Sequence, residues 1–516
     1  MSKRTTLFPA ALASLALFTL PVAAATFDVT SNLWGDVSTP NTFAWAIQQA
    51  NANSGADVIR LFSDVNVDQA NPKEPISGFL TELTDPAGLS IQGNGHSLVG
   101  NPFFITSQPG IVDKNAPRPY SPMGGDMLQI EALSFARIAD NVSNVTIDRL
   151  TVDGLNAFLD IGKSSTVTIL DSTIKNAVSF GREARSVLSV AEGATLNLEE
   201  VVMRKINPFD QRSLGTEFFW FVPAISGNDA TLNMFKSNLD LAFTSSTSGA
   251  VSWAGGTANI VSSTILGQGL SVSKLSQPGV LNLVNSIFKP SGDSAVARVQ
   301  AFSGSVANVI ASTLQFDAFQ STIPNSQFCP SYYPCNGAPL QVFADGEIRL
   351  QSSTISVLND NILPINFPYS NQFDLQTSAP VAGRFTADPY SYVQPVTNQN
   401  ADSLKILFNQ PSLITALGAY TLDPNSSFLP TFYELPAGAT PNTSGPLIGV
   451  VPNADNLNKL LNPIDNSVIS TDVFGKPRTF NGKRDVGAVQ TPGPLPVLGC
   501  GAAFGWSRRL RRRIRQ

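Results

Sequence analysis

The sequence predicts an all-β chain: a right-handed parallel β-helix with three short strands per coil, a short N-terminal capping helix and an irregular C-terminal part. Three observations predict it. A nine-residue pattern returns eight times between Asn144 and Ile355, its opening alternates apolar and polar residues, and a further apolar run precedes most copies. Alternation with period two is strand periodicity. A unit of 22 to 30 residues with three short strands cannot bury its own apolar face, whereas stacked copies share one continuous core.

The copies read NVTIDRLTV from Asn144, TVTILDSTI from Thr166, TLNLEEVVM from Thr195, TLNMFKSNL from Thr231, TANIVSSTI from Thr257, VLNLVNSIF from Val280, VANVIASTL from Val306 and EIRLQSSTI from Glu347. Their second, fourth and ninth places are always apolar. The seventh and eighth are mostly Ser and Thr, which suit a bend where short hydroxyls satisfy turning backbone before a second strand begins at the ninth. Third strands are expected at Phe158 to Ile161, Val187 to Val190, Val251 to Trp253, Val296 to Val299 and Leu340 to Phe343. Successive starts lie 22, 29, 36, 26, 23, 26 and 41 residues apart, which puts the largest loops before Thr231 and Glu347.

The expected organisation is a signal segment over 1–25, one solenoid domain over 26–490 and a tail over 491–516. Within the solenoid, 26–126 holds the N-terminal cap and first coils, 127–358 the regular array, and 359–490 irregular coils and a closing cap. Lys3 and Arg4, an apolar run from Leu7 to Leu20 and Val22-Ala23-Ala24-Ala25 form a secretory signal cut after Ala24 or Ala25. In Asn41 to Asn51, Phe43, Ile47 and Ala50 share one helical face behind Thr39-Pro40, which reads as a cap and first-turn proline. Val58 to Phe62 and Leu89 to Gly100 are early strands. Cys329 and Cys335 bracket a short loop in the longest insertion and are expected to form a local disulfide in an oxidising compartment. A metal site there is the weaker reading, because two thiols without a nearby His leave a tetrahedral ion short of ligands.

Several stretches resemble a known family. Phe43-Ala44-Trp45-Ala46-Ile47 with Ala50-Asn51, Gly55-Ala56-Asp57 and Ile59, the Ser-Thr-Ile corners, and a closing run of Asp472 to Arg478 followed by Asp485-Val486-Gly487-Ala488 are similar to secreted bacterial β-helix proteins of the choice-of-anchor Q type, akin to polymorphic outer-membrane repeats. The resemblance covers roughly residues 27 to 490. Two departures are visible: Gln490 stands where the family commonly has an acidic residue, and only one Phe-x-x-Asn lies in the array, at Phe235 to Asn238. The resemblance implies a surface or released structural protein. Too few residues follow for a membrane barrel, so self-transport through one is not expected. In the closing signature, Arg478 and Asp485 are expected to pair and pin the last coil while Gly475 and Gly487 permit tight turns. Between Asn359 and Ser467 the pattern fades into Pro-, Asn- and Thr-rich sequence.

The tail carries Pro492-Gly493-Pro494, Leu495-Pro496, an apolar stretch of about a dozen residues, then Arg508, Arg509, Arg511, Arg512, Arg513 and Arg515. It resembles a PEP-CTERM-type sorting signal without the namesake glutamate. That implies a sorting and processing protease in the inner membrane, with the arginines on the cytoplasmic side. Removing both ends takes Lys3, Arg4 and the six arginines from a formal charge of −5 and leaves −13. Such an acidic chain is not expected to bind nucleic acid or an anionic membrane.

Two sets of side chains are candidates for function. Asp148, Asp171, Glu199 and Glu200 lie at the fifth and sixth places of three successive copies and are the available catalytic or calcium ligands for a polysaccharide lyase or hydrolase. The sixth-place column Arg149, Asp171, Glu200, Lys236 and the tenth-place column Asp153, Lys175, Arg204, Asp240 answer charge with charge, which favours a solvated ladder over a catalytic cleft. Asn197, Asn233, Asn259, Asn282 and Asn308 share the third place, opposite the inward second and fourth, and should form an outward polar stripe. That stripe is either amide stacking or a surface for an extracellular polysaccharide or another surface protein. His96, in Gly93-Asn94-Gly95-His96-Ser97, reads as a turn residue. No cofactor is expected, and the function expected is that of an exported, non-catalytic surface or matrix protein.

Overall fold

A computed structural model describes residues 24–67, 79–100, 134–155, 157–179, 186–208, 223–241, 249–267, 269–289, 298–302, 304–316, 340–343, 345–357, 365–366, 384–388, 391–393, 451–452, 460–478, 483–484 and 487–488. The chain is a right-handed parallel β-helix. Its strands stack in three columns, here called faces. The first face takes the opening half of each nonapeptide: Val145–Asp148, Thr166–Leu170, Thr195–Glu199, the ends of the long strands Ile225–Phe235 and Val251–Val261, then Gly279–Val284, Val306–Ile310 and Glu347–Gln351. The second face follows the bend, from Thr151–Asp153 and Thr173–Lys175 to Thr313–Phe316 and Thr354–Val357. The third face precedes each nonapeptide, as in Ala157–Ile161, Leu188–Val190 and Leu340–Val342. The two 11-residue strands run from third face to first and join those columns into one sheet.

The nonapeptides pair place for place. Val145, Val167, Leu196, Leu232, Ala258, Leu281, Ala307 and Ile348 are successive parallel partners, so equivalent inward residues lie over one another. Every second-, fourth- and ninth-place side chain of the eight copies is buried, and all belong to one continuous core. Parallel stacking of identical places keeps side-chain sizes and shapes in step, which is how short strands share one interior. The array also continues past the eight copies. Thr26–Val29, Asp57–Leu61 and Leu89–Gln92 precede it on the first face, and Arg384–Ala387 with Tyr392–Val393 follows it. Thus 359–490 holds at least part of a further regular coil that fading periodicity concealed.

The bend between first and second faces has one recipe. The sixth place is left-handed in every copy: Arg149, Asp171, Glu200, Lys236, Ser262, Asn285, Ala311 and Ser352 have φ between 42° and 54°. A single residue there redirects the chain. The seventh place then turns inward. Its serines form a buried ladder in which each hydroxyl donates to a carbonyl of its own bend and accepts the seventh-place N–H of the preceding coil. Ser237 N reaches Ser263 Oγ at 3.0 Å, Ser263 N reaches Ser286 Oγ at 3.1 Å, Ser286 N reaches Ser312 Oγ at 3.1 Å and Ser312 N reaches Ser353 Oγ at 3.1 Å. Because the bend is complete after two residues, the second strand begins at the eighth place, as at Thr173 and Thr354, one residue earlier than the sequence reading put it.

At the N-terminal end the helix Phe43–Ala52 buries Phe43, Ala46, Ile47 and Ala50. Its N-cap is Thr42, whose Oγ1 accepts the Trp45 N–H at 3.5 Å, rather than Thr39-Pro40. Asn41 takes φ 62° and resets the chain direction just before the cap, which leaves Pro40 outside the helix. Trp34, Phe43, Phe135 and Phe158 pack ring to ring between the helix and the first coils, with neighbouring centroids 5.3 to 5.8 Å apart. Deeper in, Trp253 is fully buried, donates from Nε1 to Ala230 O at 3.0 Å, and lies against its register partner Gly227. A Cβ at Gly227 would come within 2.3 to 2.5 Å of that ring, so only glycine fits.

The serine ladder makes a direct prediction. Ser312→Ala removes the acceptor for the buried Ser286 N–H and is expected to cost about 1–3 kcal/mol. Urea unfolding followed by circular dichroism measures this. Ser312→Cys, which keeps a weak acceptor, should lose less.

Candidate functional site

The four carboxylates do not converge on one cleft. Asp148 and Glu199 are register partners of Leu170 from opposite sides, so two strand spacings, about 9.6 Å, separate their backbones. Asp171 and Glu200 sit on the left-handed bends beside them. Arg149 Nε is 2.9 Å from Asp148 Oδ2, and Lys236 Nζ is 3.4 Å from Glu200 Oε1. In the tenth-place column Lys175 Nζ lies 3.0 Å from Asp153 Oδ2. Burial pushes the Asp153 carboxyl up, but bonds from Asn176 and Lys175 outweigh it and hold the group below its usual value. At the end of that column, burial raises Asp240 and Lys205 offsets only part of the effect. Asp171 lines a shallow depression of about 330 Å³ with Asn94, Arg149, Thr151 and Thr173. Among the described residues no three His, Cys, Asp or Glu side chains gather closely enough to hold a metal ion. His96 lies in its turn with Nδ1 3.5 Å from Asp64 Oδ1.

The asparagines do converge. Asn197 Nδ2 donates to Thr168 Oγ1 at 3.2 Å, and then Asn233 to Asn197, Asn259 to Asn233, Asn282 to Asn259 and Asn308 to Asn282, each to Oδ1 at 2.8 to 2.9 Å. The row ends where Arg349 takes the next third place and turns its guanidinium to Glu347. The stripe is half-buried rather than fully outward, and Asn259 is only 6% exposed. An amide offers two N–H donors and an oxygen with two lone pairs. Each internal member spends one of each along the ladder, which leaves one N–H and one lone pair per coil. Thr166, Thr195, Thr231 and Thr257, at the first place, run parallel to it two residues away.

The closing signature lies elsewhere than the sequence reading put it. Residues 460–478 and 487–488 do not cap the last coil; they fold back along the bends of the later copies. Leu460, with Ile464 and Ile469 beside it, packs on Val261, Val284 and Ala311, and Ala488, with Val473 and Phe474, packs on Leu266 and Ile287. Arg478, 2% exposed, donates Nε to Asn285 Oδ1 at 2.9 Å, and its Nη2 donates to the Ala311 carbonyl at 3.2 Å and the Gly487 carbonyl at 2.8 Å. Asn285 Nδ2 in turn donates to the Thr471 carbonyl at 3.1 Å. Asp472 Oδ1 accepts the N–H groups of Phe474 and Lys476 and shapes the turn. Gly475 and Gly487 are both left-handed, and Gly487 sits so close that a Cβ would come 2.6 Å from Thr313 Oγ1. Arg484 donates to Ser352 Oγ at 3.4 Å, its charge weakened by burial and supported by Asp388. The proposed partner Asp485 lies outside the described residues, as do Cys329, Cys335, Pro494, Pro496 and the tail arginines.

Sequence reasoning missed the receiving surface: Ser262, Asn285, Ala311 and Ser352. A signal for it was present. The sixth place reads Arg, Asp, Glu, Lys in the first four copies and Ser, Asn, Ala, Ser in the last four, and charge is lost where the closing segment covers the bend.

No family model matches the chain and no curated protein matches it. Among solved structures it is similar to one titled "Crystal structure of pectate lyase Pel9A", with 12% identity, a TM-score of 0.36, and coverage of 91% of this chain and 98% of that one. The registers above carry the fold assignment by themselves.

Asn285→Ala removes the acceptor of a buried guanidinium and the donor to Thr471 together. It is expected to destabilise docking of the closing segment by about 1.5–3 kcal/mol. Limited proteolysis should then cut within 460–488 while the parallel array keeps its circular dichroism. Thr173→Ala, on the uncovered part of the second face, should leave the cleavage pattern unchanged.

Proposed function

We propose that this chain is an exported, non-catalytic β-helix that works at the cell surface or in the extracellular matrix and holds a neutral polysaccharide along its asparagine row. The amide ladder from Asn197 to Asn308 carries the reading. It repeats a free N–H and a free lone pair at the spacing of stacked strands, about 4.8 Å, beside a parallel row of threonine hydroxyls. Sugar hydroxyls both donate and accept, so a regular row of donor and acceptor pairs suits them better than a single pocket does. The carboxylates of the competing lyase or hydrolase reading are spread over successive strand ends and bends, and two of them are engaged by Arg149 and Lys236. Export, the choice-of-anchor type and the sorting tail belong to this proposal and rest on Lys3 to Ala25, the closing signature and the arginine block in the sequence.

The amide ladder also changes how the reading must be tested. Replacing Asn233, Asn259 and Asn282 together by Ala breaks the ladder, so some stability is lost along with any ligand. Thr231→Val with Thr257→Val removes hydroxyls that stand beside the ladder and leaves it bonded. The expected outcome is retention of the chain on neutral polysaccharide beads, reduced at least tenfold in the double Thr variant with its unfolding midpoint nearly unchanged. Equal retention of both proteins would sink the reading. New reducing ends or unsaturated product from a glycan panel, lost in Asp171→Asn, would replace it with the enzyme.

A further inference from the structure

Among the described residues, two buried carboxylates near the N-terminal cap have no counter-charge. Asp57 is 1% exposed and Asp85 3% exposed. Asp57 Oδ1 accepts from the Ala25 N–H at 2.7 Å and from Asn53 Nδ2 at 2.6 Å, and its Oδ2 has no hydrogen-bond partner among the described residues. Asp85 Oδ1 accepts the Ala87 N–H at 2.9 Å, and its Oδ2 is likewise without a partner. The two strands they flank are tied together, because Asp57 N donates to the Gly88 carbonyl and Gly88 N to the Asp85 carbonyl. Burial raises the Asp85 carboxyl, the Ala87 bond offsets part of this, and the charge of Asp57 raises it further. A pair of like charges out of water with neutral donors alone is an expensive arrangement.

Among the described residues, the nitrogen that touches Asp57 from outside its own coil is that of Ala25, whose carbonyl is held in the first face by the Val58 N–H at 2.8 Å. The sequence leaves the cut after Ala24 or after Ala25 open. We propose that the chain is processed between Ala24 and Ala25, and that the new α-ammonium of the half-buried Ala25 is the counter-charge of the Asp57 and Asp85 pair. Water adds across the Ala24–Ala25 peptide: the Ala24 carbonyl carbon takes its oxygen and leaves as a carboxylate, and the Ala25 nitrogen takes up the protons. A neutral N–H facing Asp57 thereby becomes a cation at the same place. Cutting one residue later would remove this donor and leave Asp57 with Asn53 alone. Export thus completes the first coil, and this holds whether or not the asparagine row binds a glycan.

The test uses the full chain exported by a Gram-negative host. Mass spectrometry of its N-terminal peptide should begin at Ala25; a start at Thr26 or an uncut leader overturns the proposal. Urea midpoints are then compared for the exported protein and for a cytoplasmically made chain extended by Gly-Ser before Ala25, each with and without Asp85→Asn. The exported protein should have the higher midpoint. Asp85→Asn should raise the midpoint of the extended chain more than that of the exported one, because it relieves a repulsion that the ammonium already offsets. Parallel shifts in the two backgrounds, or equal midpoints at the outset, would refute the ammonium's role.

Discussion

One left-handed residue per coil organises this molecule. At the sixth place of each nonapeptide the backbone turns through positive φ, the seventh-place side chain is thrown inward, and the second face starts at once. A serine there solves the difficulty that any tight buried bend creates, since its hydroxyl supplies both a donor and an acceptor to backbone that no ladder reaches. Because the acceptor serves the coil before, the bends are bonded to one another as well as the strands. The parallel registers, the continuous core and the asparagine row all follow from coils held at one angle.

That bend also decides what covers the outside. A left-handed residue points outward, and its side chain is free to be anything its surroundings tolerate. On the first four copies it is Arg, Asp, Glu or Lys, exposed enough for pairs such as Lys236 with Glu200. On the last four it is uncharged, and the closing segment lies on it. Arg478 inserts among these bends, where carbonyls and an asparagine accept from its Nε and Nη2. A cation at Asn285 would face that guanidinium, and a charge at Ala311 would lose its water, so covering selects the composition.

Much of the fold was legible because the nonapeptide repeats its inward places without exception. Val167, Ile169 and Ile174, and their equivalents, encode strand, bend and strand in the sequence alone. The third face was readable for the same reason at Phe158 to Ile161 and Leu188 to Val190. What escaped depends on contacts between residues far apart in sequence. Asn285 and Arg478 are 193 residues apart, and neither residue's neighbours in sequence hint at the other. The coil at Arg384–Ala387 escaped because no Ser-Thr bend of the nonapeptide type follows that strand in the sequence. The asparagine row was visible as a column, but its bonding consumes half of each amide, which the sequence alone does not disclose.

The asparagine row and the closing segment place different demands on the same coils. The row runs along the third place from Asn197 to Asn308, while the segment occupies the fifth to tenth places from Val261 onward. At the third place an outward amide bonds along the solenoid axis, so its partners are set by coil stacking alone. At the bend the partners come from across the chain and are set by docking. Asn259 is the member of the row where the two regions adjoin, since Val261 of the same strand is buried by the segment and Asn259 itself is 6% exposed. The first half of the row, from Asn197 to Asn233, therefore offers its remaining hydrogen-bonding groups on the side where the bends are bare and charged. The glycan proposed for the row would meet amides and threonines there before any covered coil.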